Sequence, residues 1–87
     1  MSNTRSANVI IVDTSAQFSE NSQICGIKYI GAASGTASIK ADSTSGVVVW
    51  EEAGTANVWN PEVELQMRNG FYVTVTNSAK VYIYLEV

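Results

Sequence analysis

Apolar residues fall on alternate positions through the last third of the chain, and that period of two decides what it can fold into. Phe71, Val73 and Val75, followed by Val81, Ile83 and Leu85, share one parity, while Tyr72, Thr74, Tyr82 and Tyr84 share the other. Successive side chains of a strand point to opposite faces, so such a segment buries one face and presents the other. No stretch carries apolar residues at helical spacing over three turns. Runs rich in β-branched and aromatic residues at 8–13, 24–32, 36–42, 46–52, 62–67, 71–76 and 80–87 are separated by clusters of Ser, Thr, Asn, Ala and Gly. This spacing predicts an all-β fold, a small antiparallel β-sandwich or barrel of about seven strands. Residues 1–7 are polar and follow neither period, and read as an N-terminal arm ahead of a single β domain spanning 8–87.

Register arithmetic extends the prediction to a C-terminal three-stranded meander. Arg68-Asn69-Gly70 contains Asn-Gly, but a two-residue hairpin loop would set Met67 against Tyr72 and mix the faces. A three-residue loop, with Arg68 and Asn69 in a type I turn and Gly70 left-handed, pairs Met67 with Phe71, Leu65 with Val73 and Val63 with Val75. The same loop at Asn77-Ser78-Ala79 pairs Val75 with Val81, Val73 with Ile83 and Phe71 with Leu85. On the opposite side Tyr72 would then face Tyr84, and Thr74 would face Tyr82. Those tyrosines can serve as a cross-strand ladder or as a contact surface, since tyrosine supplies large area at small entropic cost. Val47-Val48-Val49-Trp50 reads as a strand covered on both sides.

With 87 residues, the chain has one core, and a core this small favours oligomerisation. Charged residues make up only 15% of the composition, leaving a neutral surface that another protein can cover. The net charge is −3, and the basic residues Arg5, Lys28, Lys40, Arg68 and Lys80 are scattered, which argues against nucleic acid as a ligand. The aliphatic run Val9-Ile10-Ile11-Val12 is too short for a leader core or a membrane span, and no N-glycosylation acceptor occurs, so neither secretion nor membrane insertion is expected. Cys25 is alone and reads as a small buried hydrophobe.

Histidine is absent, which removes the commonest general base and metal ligand. Glu51 and Glu52 are adjacent on a strand and face opposite ways, while Glu62 and Glu64 read as solvated charge. Asp42-Ser43-Thr44-Ser45-Gly46 offers one carboxylate and reads as a turn, and the segment from Gly31 to Thr36 lacks the lysine of a phosphate loop. No catalytic residue, metal or cofactor is therefore assigned. Trp50 ends the valine run and reads as core, whereas Trp59, in Trp59-Asn60-Pro61, stands at a corner as plug or contact.

Gly26-Ile27-Lys28-Tyr29-Ile30-Gly31, Ser34-Gly35-Thr36-Ala37-Ser38-Ile39, Val58-Trp59-Asn60-Pro61 and Val81-Tyr82-Ile83-Tyr84-Leu85 together resemble small β-sandwich accessory virion structural proteins of tailed, cyanophage-like bacteriophages. The resemblance implies a non-enzymatic virion component present in many copies, assembled in the host cytoplasm. The first expectation is a capsid decoration, or cement, protein binding the major capsid protein or another virion protein, itself a homo-oligomer with a trimer favoured. Its contact candidates are Trp50, Trp59, Tyr72, Tyr82 and Tyr84, with Arg5 in an arm that orders on the capsid. The second is a tail or fibre module that recognises host-surface glycan through exposed tryptophan.

Overall fold

Ten strands and no helix form among residues 3–6 and 8–86, which the structure, a computed structural model, describes. They are β1 (Thr4–Ser6), β2 (Val9–Val12), β3 (Ala16–Phe18), β4 (Ser22–Ile30), β5 (Thr36–Ala41), β6 (Val48–Ala53), β7 (Val58–Asn60), β8 (Leu65–Met67), β9 (Phe71–Thr76) and β10 (Lys80–Leu85). Two antiparallel sheets result. The six-stranded sheet runs β1-β2-β10-β4, and the far edge of β4 is shared by β7 and β8; the four-stranded sheet runs β3-β9-β5-β6. If β1 is set aside and β7 and β8 are counted as halves of one edge strand, the orders 2-10-4-7/8 and 3-9-5-6 are those of an eight-stranded jelly roll.

The inward faces of the sheets supply the core. Ile10 and Val12 of β2, Ile24, Ile27 and Tyr29 of β4, and Val81 and Ile83 of β10 meet Ala37 and Ile39 of β5 and Phe71 and Val73 of β9. Each large aliphatic or aromatic side chain sealed here contributes about 1.5–3 kcal/mol of transfer free energy. Tyr29 is fully buried, and its hydroxyl donates to the Gly54 carbonyl at 2.9 Å, so no polar atom of the ring is stranded. Ile24 and Ile27 lie three apart yet both face inward. The β4–β10 register shifts there, with Tyr84 opposite Gly26 and Leu85 opposite Ile24, so Cys25 is the extra residue of a bulge that resets the alternation. Cys25 is consequently half-buried, not sealed in the core.

The C-terminal meander does not form. β8 pairs with β4, β9 with β3 and β5, and β10 with β2 and β4, so consecutive strands alternate between sheets. The expected faces nonetheless hold: Met67, Phe71, Val73, Val81, Ile83 and Leu85 are buried, while Tyr72, Tyr82 and Tyr84 point outward. Parity determines which side of a strand is dry, and two strands facing each other across a sandwich satisfy it as well as two neighbours in one sheet.

A turn forms at Arg68-Asn69 and Gly70 has φ +89°, as expected, but it joins strands of different sheets, so the expected hairpin pairs Met67–Phe71, Leu65–Val73 and Val63–Val75 do not form. At the second connection Asn77 and Ser78 both take positive φ, 52° and 69°, and the Ala79 N–H donates to the Thr76 carbonyl at 3.1 Å. The connection between β9 and β10 is three residues long, as expected, but its first two residues make a turn of the I′ kind in place of a type I turn followed by a left-handed residue.

Two further expectations are corrected. Val47, Val48 and Val49 are 74%, 43% and 37% exposed, because β6 lies at a sheet edge and pairs only with β5. Three of the expected arm residues, Thr4–Ser6, form edge strand β1 against β2, with Arg5 opposite Ile10; residues 1, 2 and 7 lie outside the described residues.

Candidate protein-interaction face

The strands of the six-stranded sheet send alternate side chains away from the core, and register places them in rows. One row runs Trp59 on β7, Lys28 on β4, Tyr82 on β10, Ile11 on β2 and Thr4 on β1. The next runs Gly26, Tyr84 and Val9, and Ile30 stands beside Lys80 in a third. Val9, Ile11, Ile30, Tyr82 and Tyr84 are each half-buried, and Trp59 is 51% exposed. The outer surface of this sheet is thus aliphatic and aromatic, with Lys28 near its centre.

Gly26 makes the seat for the indole. A Cβ there would stand 3.2 Å from Trp59 Cη2, tighter than ordinary contact, so glycine lets the ring lie against the β4 backbone. The Tyr84 ring meets it edge-on, with centroids 5.2 Å apart and planes at 72°, the favoured offset for aromatic quadrupoles. The Cys25 bulge matters here too, because it puts Gly26 opposite Tyr84 on the outer side.

The four-stranded sheet presents a different outer surface. Gln17, Tyr72, Lys40 and Val48 form one row, Thr74, Ser38 and Glu51 a second, and Thr76, Thr36 and Ala53 a third. Hydroxyls dominate, and those of Thr36 and Thr76 are 2.7 Å apart in a hydrogen bond.

Of the residues singled out from sequence, the fold gathers Trp59, Tyr82 and Tyr84 and separates the rest. Tyr72 lies on the outer face of the other sheet, opposite Lys40 and Gln17 and not Tyr84. Trp50 turns inward opposite Ile39 and packs half-buried against the core. Arg5 ion-pairs with Glu20, whose carboxylate accepts its hydrogen bond and raises the guanidinium pKa above the ordinary value. Both partners are substantially exposed, so the pair adds little stability. It borders an open cleft of about 570 Å³, lined also by Gln23, Gln66, Leu85 and Glu86. Val9, Ile11, Lys28 and Ile30 were missed. The signal was present in Val9-Ile10-Ile11-Val12, since four consecutive apolar residues on a strand make both of its faces apolar.

Compared with family models, curated proteins and solved structures, the chain has no match in any of the three. What the face offers is stacking area, aliphatic contact and two ammonium groups, those of Lys28 and Lys80.

Proposed function

We propose that the chain is a non-enzymatic structural protein of a phage virion, a decoration protein that seats the outer face of its six-stranded sheet on the assembled head. Support comes from the contrast between the two outer surfaces: one is rich in hydroxyls, while the other carries Val9, Ile11, Tyr82, Tyr84 and a half-exposed Trp59 around Lys28. Apolar side chains set side by side on the outer face of a sheet, with an exposed indole among them, suit a surface that a partner covers. The jelly-roll order occurs in capsid and lectin domains alike and does not choose between them. The resemblance covers head and tail proteins alike; the head is proposed because its many identical sites make a modest interface sufficient.

The test is occupancy on heads of the encoding phage prepared without the protein. Trp59→Ala and Lys28→Glu are each expected to lower occupancy about tenfold at subsaturating concentration, equivalent to about 1.4 kcal/mol per contact. Near-UV circular dichroism checks that both variants stay folded. Full occupancy by both variants excludes this face as the docking surface.

The exposure of Trp59 also favours a second role, a tail or fibre module in which the indole stacks on host-surface glycan. Glycan-array binding that disappears in Trp59→Ala, with no affinity for heads, would select it.

A further inference from the structure

Most asparagine side chains among the described residues are tied down. The Asn3 oxygen accepts the Asp13 and Thr14 N–H groups at 3.0 Å each, that of Asn21 accepts from the Gln66 amide at 2.9 Å, and that of Asn57 accepts the Gly31 N–H at 3.1 Å. The amides of Asn8 and Asn77 donate to the Leu85 and Ser34 carbonyls. Asn60 is followed by Pro61, which has no N–H. Asn69 differs on each count. It is exposed in the turn between β8 and β9, its amide makes no hydrogen bond within the described residues, and the next residue, Gly70, has no side chain to shield its nitrogen. Gly70 is buried and anchored through its carbonyl, which accepts the Asp42 N–H at 3.0 Å, while its own N–H donates to no backbone carbonyl among the described residues.

We propose that Asn69-Gly70 is a site of spontaneous backbone modification, at which Asn69 is converted through a succinimide to aspartate and isoaspartate. Hydroxide takes the proton of the Gly70 nitrogen, whose lone pair then attacks Asn69 Cγ. The bond from Cγ to Nδ2 breaks, and the amide leaves as ammonia with a proton from water. Water opens the resulting five-membered ring at either carbonyl. Breaking the bond from Cγ to the Gly70 nitrogen leaves aspartate, whereas breaking the bond from the backbone carbonyl leaves isoaspartate, with the chain running through Cβ and Cγ. At Asn3, Asn8, Asn21, Asn57 and Asn77 a hydrogen bond must break before Cγ can turn toward the next nitrogen, and a Cβ on the following residue crowds the approach. Isoaspartate adds a backbone carbon to a turn whose two ends, Met67 and Phe71, are buried, so it strains the connection where aspartate adds charge alone.

Peptide mass mapping of the whole chain, kept in mildly alkaline buffer both folded and unfolded in guanidinium chloride, tests the proposal. In the folded chain Asn69 is expected to exchange amide for acid about tenfold or more faster than any other asparagine, with isoaspartate and aspartate both formed. Asn69→Gln, at an exposed position outside the core, is expected to lose the conversion, because its longer side chain closes a six-membered ring far more slowly. A folded chain that keeps the Asn69 amide while the unfolded chain converts it overturns the proposal, as does another asparagine that converts first. Aspartate formed without isoaspartate overturns the succinimide route. The isoaspartate fraction is further expected to unfold at a lower urea midpoint than Asn69→Asp, which carries the same charge on an ordinary backbone. Equal midpoints overturn the strain at the turn.

Discussion

At Gly70 the backbone takes φ +89°, and a Cβ would overlap the Phe18 carbonyl oxygen of the neighbouring strand β3. Left-handed φ costs an ordinary residue roughly 1–2 kcal/mol before any clash. Gly70→Ala is therefore expected to destabilise the fold by about 2–3 kcal/mol, read as a lower urea midpoint at unchanged slope. This residue was legible from its place in Arg68-Asn69-Gly70, because a turn is a local object and its chemistry sits in three adjacent residues. The seat of Trp59 was not legible. It depends on Gly26 and Tyr84, which meet the indole only after β7, β4 and β10 have come together and the Cys25 bulge has set their register.

Among the strands, β10 displays the division of labour most clearly. Ile83 is sealed between Ile10 and Ile27 of its neighbours, while Tyr82, one residue earlier, looks outward between Ile11 and Lys28. Ile83→Ala should cost about 2–5 kcal/mol, since the cavity cannot collapse in the middle of a sheet. Tyr82→Ala should cost about 1 kcal/mol or less, the worth of a cross-strand pair. Chemical denaturation of the two variants side by side checks the contrast, and equal losses would mean that the outer face is packed like a core. Which side of each strand is dry was readable from the alternation in Phe71 to Thr76 and Lys80 to Leu85. Which strands are neighbours was not, because parity carries no information about partners in the sheet. Three-residue strands such as β3 and β7 are too short to display a period at all. Val47 to Trp50 misled for a related reason: a continuous apolar run looks the same on a central strand and on an edge.

Over the whole molecule, the jelly-roll winding couples the ends of the described chain. β2 and β10 are adjacent in the six-stranded sheet, and the Asn8 side-chain amide donates to the Leu85 carbonyl at 3.0 Å. Most of the sheet pairing therefore joins residues distant in sequence: the four-stranded sheet draws on strands from 16 to 76 and the six-stranded one on strands from 4 to 85. The winding also sorts the two indoles, with Trp50 half-buried against the core under the four-stranded sheet and Trp59 half-exposed on the back of the six-stranded one. One consequence is optical. The protein holds two tryptophans of unequal access, so with selective indole excitation acrylamide should quench the Trp59 emission well before that of Trp50. A molecule that lands on the aromatic side shields the easily quenched component, whereas one that adds to β6 or to the threonine-rich side leaves it open. Quenching curves taken during a titration would thus report where on the surface a ligand has arrived, with no label attached.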